Sequence, residues 1–127
     1  MPRKNFSSGS KWEPIIGYSR MVQAGNMIFI SGTTGSNAEG KVVGNSYEQT
    51  RQALLNIESA LKNAGALMKD VVKTRIYCTQ ISDWEQIGKA HGEFFKDIRP
   101  ATVMVEVRKL IAPEMLVEIE AEAVTSK

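Results

Sequence analysis

One cysteine, Cys78, and one histidine, His91, stand in 127 residues. No disulfide can form within the chain, and a structural zinc site of the usual Cys/His kind lacks its ligands. Any Ser-His-Asp or Cys-His chemistry would have to run through those two side chains. Apolar runs are only a few residues long, so no transmembrane helix is predicted. The first residues, Met-Pro-Arg-Lys-Asn-Phe, have no apolar segment behind their charges and do not read as a secretory signal. Charge is nearly balanced, 16 Lys+Arg against 14 Asp+Glu, and no run of five basic residues occurs. The clustered basic footprint of a dedicated nucleic-acid binder is therefore missing. The reducing cytoplasm is the expected compartment.

What is present fits one globular domain. Hydrophobic residues are 43% and charged residues 24%, too apolar a balance for a disordered chain. At this length about two-thirds of the extended surface is buried on folding, so the core holds without staples. Residues 1–16, with Pro2, Gly9 and Pro14, read as an irregular lead-in, and 17–127 as the domain.

Tyr18 to Gln23 and Met27 to Thr33, separated by Ala24-Gly25-Asn26, read as a hairpin. The glycine-rich stretch from Gly32 to Gly44 reads as a loop. Ser46-Tyr47-Glu48-Gln49 has the form of a capping box, and Ala53, Leu54, Ile57, Ala60, Leu61 and Ala64 follow as one helical stripe that Gly65 ends. Val71 to Thr79 reads as a strand. Ser82-Asp83-Trp84-Glu85 opens a second helix with Trp84, Ile87, His91, Phe94 and Phe95 on one face. Pro100 closes it and predicts an extended Arg99. Ala101 to Arg108 and Leu116 to Val124 alternate at period two. The order is ββαβαββ, an α+β fold with two helices on one sheet face.

The uncovered face is then expected to carry Thr102, Met104, Glu106, Glu118 and Glu120, with Lys73, Arg75 and Tyr77. Such a face either meets water or meets another subunit with a ligand between. Gly35 to Lys41 matches the start of a phosphate-binding loop, but Val42 stands where Ser or Thr must hold Mg²⁺. His91 reads as a packed, hydrogen-bonded side chain and Cys78 as a buried, inert thiol. Glu118 and Glu120 point the same way roughly 7 Å apart, a spacing open to acid/base work and to plain solvation alike. Ser31-Gly32-Thr33-Thr34 reads as an anion-binding backbone or as an ordinary strand-end turn.

Several separated segments resemble one family. They are Tyr18-Ser19-Arg20 with Gly25 to Gly32, Ala64-Gly65-Ala66 with Asp70 to Thr74, and Arg99-Pro100-Ala101-Thr102 with Val117 to Ala121. The chain is similar, over about residues 17–125, to the Rid family, also called YjgF or L-PSP endoribonuclease-like. The resemblance implies a chorismate-mutase-like fold and a homotrimer with pockets between subunits. It also implies hydrolytic deamination of 2-imino or 2-enamino acids without metal or organic cofactor. The pocket residues map onto Tyr18, Ser31, Gly32, Thr102, Met104 and Glu118. Deaminating members have Pro-Ala-Arg where this chain has Pro100-Ala101-Thr102. That arginine grips the substrate carboxylate, and a threonine hydroxyl offers one donor and no charge. Arg20, Arg75 and Arg108 are the other cations to consider.

The expected chemistry is water attack on a polarised C=N or C=O carbon. Glu118 acts on the water, and the Ser31–Thr33 backbone stabilises developing negative charge. The function read here is a trimer binding a small metabolite in clefts between subunits, with hydrolysis of an imine- or enamine-like substrate other than a simple 2-imino acid left open. The alternatives are a non-enzymatic ligand-binding or chaperone-like trimer and, with less support, an endoribonuclease. No membrane partner is expected.

Overall fold

In a computed structural model, residues 2–126 are described. Six strands form one sheet in the order β1-β2-β3-β6-β4-β5. They are β1 Arg3–Phe6, β2 Met21–Ala24, β3 Met27–Thr34, β4 Val71–Cys78, β5 Ala101–Glu106 and β6 Val117–Val124. The helices are α1 Trp12–Ile16, α2 Ser46–Asn63 and α3 Trp84–Phe95. β4 and β5 pair in parallel, and every other pair is antiparallel. The parallel pair follows from α3, which supplies the crossover such strands require.

The α2 stripe is buried at Ala53, Leu54, Ile57, Ala60 and Leu61. It packs with Ile87 and Phe95 of α3 on Ile28, Ile30, Ile76, Val117 and Ile119 of the sheet. β2 and β3 form the expected hairpin, with Gly25 at φ 62, a conformation glycine adopts without strain. No helix among the described residues is long and apolar enough to cross a membrane.

Several local expectations are corrected. The stretch read as an irregular lead-in carries β1 and α1. Its polar strand forms because its backbone pairs with β2, and Glu13 is buried under Ser8, whose Oγ donates to Glu13 Oε2 at 2.5 Å. The α2 cap is Asn45, which exchanges hydrogen bonds with Glu48, because the Ser46 hydroxyl is drawn to Asp83 Oδ2 at 2.6 Å. Ser82 lies inside a short 3₁₀ turn, Ile81–Asp83, and α3 starts without a side-chain cap. Trp84 is exposed rather than packed. Arg99 adopts φ 57, with its N–H donating to Phe95 O at 2.7 Å. The helix-closing left-handed turn outweighs the bias that Pro100 imposes. The strand β3 runs from Met27 to Thr34, one residue past the expected Thr33, so the glycine-rich loop begins after Thr34 rather than at Gly32.

The largest correction concerns β5. Thr102, Met104 and Glu106 sit opposite Thr74, Ile76 and Cys78, the buried set of β4, so they belong to the helix-covered face. Val103 and Val105 sit opposite Arg75 and Tyr77 on the open face, at 43% and 40% exposure. The phase inverts because the apolar set of β5 lies on the side that nothing in the chain covers. The chain exposes 7498 Å², above the roughly 6,700 Å² typical of a folded monomer this size.

Candidate functional site

Down the open face, β6 aligns Glu118, Glu120 and Glu122 opposite Tyr77, Arg75 and Lys73. The Tyr77 hydroxyl donates to Glu120 Oε1 at 2.6 Å, and Arg75 Nη1 donates to Glu122 Oε2 at 2.5 Å. These contacts raise the pKa of Tyr77 and of Arg75, since each proton is held by a carboxylate. Two of the three carboxylates are thus partnered within the sheet. Glu118, at the sheet end, is the third.

Its surroundings are built by an irregularity in β3. The β3–β6 register shifts between Ile30 and Thr33, so Ser31 and Gly32 form a bulge. Bulges re-aim backbone and side chains, and here the Glu118 carboxylate lies over the Gly32 Cα, where any Cβ would collide with it. Ser31 Oγ donates to Ser19 O at 2.6 Å, and Thr33 Oγ1 donates to Ser31 O at 2.8 Å. Arg20 Nη2 donates to Gly32 O at 2.6 Å. Its guanidinium carbon lies 6.0 Å from the centre of the Tyr18 ring. Arg20 Nε is buried without a hydrogen-bond partner, a condition that costs about 1–3 kcal/mol when left unrelieved.

Burial pushes the Glu118 pKa up, the Arg20 charge restrains the rise, and Glu120 adds to it. No ion pair joins Glu118 to a cation among the described residues. The carboxylate is therefore half-dehydrated and without an ion-pair partner among these residues, a setting that favours its protonated form more than water does. No cluster of His, Cys, Asp and Glu suited to a metal ion occurs among the described residues.

Tyr18, Ser31, Gly32, Thr33 and Glu118 all line one cleft of about 840 Å³, within the roughly 300–1,000 Å³ usual for small-molecule sites. Thr102 and Met104 do not line it. Thr102 instead accepts from Thr74 Oγ1 at 2.7 Å, and Thr74 is bonded to His91 Nε2 at 2.9 Å. His91 packs on Phe95 at 4.6 Å between ring centres, and burial lowers its pKa. Cys78 is buried and its pKa is raised by desolvation, which leaves it a thiol. Of the other cations, Arg75 is engaged on the carboxylate row and Arg108 is exposed outside the cleft, whereas Arg20 lines it.

The family model of endoribonuclease L-PSP matches residues 9–125. This chain belongs to the endoribonuclease L-PSP family. A member of the YjgF/YER057c/UK114 family from Mycobacterium tuberculosis, known from its crystal structure, is 50% identical, with TM-score 0.90, covering 98% of this chain and all of that one. A RutC family protein of Pyrococcus abyssi is 37% identical over 87% of this chain and 88% of its own length. A 2-iminobutanoate/2-iminopropanoate deaminase of Dermatophagoides farinae is 34% identical over 94% of each chain. The 3-aminoacrylate deaminase RutC of Acinetobacter baylyi is 31% identical over 97% of this chain and 98% of its own.

Within this L-PSP family fold, the cleft has members that the residue pattern did not reveal. Trp12 and Ile16 reach it from α1, and Ile111 and Met115 from the loop before β6. Residues so far apart in sequence share no periodicity. One signal was legible: an isolated glycine in strand-like surroundings, Gly32, marks a bulge or a close approach.

Proposed function

We propose that the chain hydrolyses the C=N bond of an imine or its enamine tautomer, with Glu118 acting on the attacking water. The observation that carries this reading is the Glu118 carboxylate itself: half-buried, laid over a glycine that makes room for it, and without an ion-pair partner among the described residues. In the reaction, the water oxygen bonds to the imine carbon and the C=N pair moves to nitrogen. Glu118 takes a proton from the water and delivers it to nitrogen. Glu118 then takes the hydroxyl proton of the resulting carbinolamine and passes it to the amine, the C–N bond breaks as C=O forms, and ammonia leaves. The Ser31–Thr33 backbone lies beside the reacting atoms as the source of dipolar stabilisation.

The names of two relatives, a 2-iminobutanoate/2-iminopropanoate deaminase and a 3-aminoacrylate deaminase, support the reaction class. A homotrimer with clefts between subunits is supported by the open face, whose carboxylate row is flanked by exposed Phe29, Val103 and Val105. In such an assembly, Thr102 and Met104 reach a cleft through a neighbouring copy. The neutral Thr102 supports a substrate other than the simplest 2-imino acids. A buried thiol supports a cytoplasmic setting.

The test is ammonia release from imines generated in situ by an amino acid oxidase. Glu118→Ala is expected to reduce release to the buffer rate while circular dichroism and native mass are retained. Ligand-dependent thermal stabilisation without turnover of any imine would instead establish the non-enzymatic reading.

A further inference from the structure

We infer that the ligand of this cleft carries a carboxylate and a bulky apolar group, the first received by Arg20 and the second by a lip of Trp12, Ile16, Ile111 and Met115. The inference rests on the imine-hydrolysis reading of the same cleft, but its binding half stands without turnover. Arg20 and Lys11 are the cations that line the cleft. Lys11 is exposed, and its Nζ sits 4.9 Å over the Trp12 ring. Arg20 is half-buried and anchored by one bond from Nη2 to Gly32 O; its unpartnered Nε is shut off from solvent, so the donors left for a ligand are those of the Nη groups. A guanidinium has five N–H donors in a fork that matches a carboxylate. One fixed by a single carbonyl, close to Glu118 but not ion-paired with it, has donors left for an anion that enters beside the reacting centre.

The lip is the second, independent observation. Trp12, Ile16 and Ile111 are 38%, 63% and 61% exposed. Scattered apolar residues at a surface are ordinary, but these converge from α1 and from the loop before β6 on one cleft that also holds Tyr18 and Glu118. A ligand held by its carboxylate at Arg20 therefore has an apolar wall for a substituent. A three-carbon imino acid leaves that wall wet.

Calorimetric titration with stable 2-oxo acids, which share the imine skeleton, tests this. The probes are 2-oxopropanoate, 4-methyl-2-oxopentanoate, 3-phenyl-2-oxopropanoate and the neutral amide of the last. The phenyl acid is expected to bind roughly tenfold or more tightly than 2-oxopropanoate, and more tightly than its amide. Arg20→Gln brings acid and amide together, Arg20→Lys restores part of the difference, and Trp12→Ala brings the phenyl acid and 2-oxopropanoate together. Equal affinity for all acids, an Arg20→Gln variant that binds the phenyl acid as wild type does, or no binding at all would overturn the inference. Selective, Arg20-dependent binding with no hydrolysis of the matching imine would sink the hydrolytic reading alone. Hydrolysis indifferent to side-chain size and to Arg20 would sink the inference alone.

Discussion

Strands β5 and β6 alternate in the same manner along the sequence, yet their apolar sets face opposite ways. On β6 the apolar residues Val117, Ile119, Ala121 and Ala123 are buried under the helices, and the glutamates ride the open face. On β5 the valines ride the open face, and Thr102 and Met104 turn toward the helices. Alternation states that two sets lie on opposite sides of a strand. It does not state which side the core takes. The difference makes the open face a composite surface, with a partnered carboxylate row between apolar margins. At one end of that row sits Glu118, the one of its three carboxylates without an ion-pair partner among the described residues.

The comparison is broken most strongly on the covered side. Ile119→Ala is expected to cost about 2–5 kcal/mol, read as a lower denaturant midpoint with an unchanged slope. Two glycines at the end of β3 sharpen it next. A Cβ at Gly35 meets the Gln49 backbone of α2 at 2.5 Å, so Gly35→Ala is expected to cost about 1–3 kcal/mol by the same measurement. A Cβ at Gly32 meets the mobile end of Glu118 instead, so Gly32→Ala costs less stability but displaces the carboxylate and lowers turnover. On the open side, Val105→Asp is expected to change the unfolding midpoint of the single chain by under about 1 kcal/mol. Its readout is native mass by light scattering, which falls to that of a monomer if a second copy seats there.

The smallest effects are on pH dependence, and they have opposite signs on the two faces. The folded-state pKa of Glu118 is raised by burial. Its contribution to stability is present at low pH and lost as pH rises through that raised value. Glu118→Gln therefore gains stability relative to wild type near neutrality while losing activity. The folded-state pKa of His91 is lowered by burial. Its contribution is present above the usual imidazole range, about 6.5, and lost as pH falls through the lowered value. His91→Gln is expected to flatten the acid limb of the stability profile, measured by thermal melts from neutral pH downward.

Much of the fold was legible because local signals agreed with tertiary demands. The hairpin at Gly25, the α2 stripe and the phases of β4 and β6 each put their apolar set where the helices lie. The exceptions share one cause, a partner far away in sequence. Ser46 looks like a cap but is claimed by Asp83. β1 has no apolar alternation and exists through its pairing with β2. In the candidate site, Tyr18, Ser31, Gly32, Thr33 and Glu118 were identifiable and are brought together. Thr102 and Met104, which the resemblance also maps onto the pocket, do not line this cleft.

The amino-acid sequence by itself determined the periods, the turns, the absence of an internal disulfide, and the family to which the order of its motifs is similar. These rest on local geometry and composition, which need no knowledge of distant neighbours. The tertiary structure decided the phase of β5, the bulge that seats Glu118 over Gly32, the place of Arg20 in the cleft and the apolar lip assembled from α1 and the loop before β6. Each depends on which surfaces meet across the fold. A burial free energy summed over distant contacts sets them, and no stretch of chain carries that sum alone.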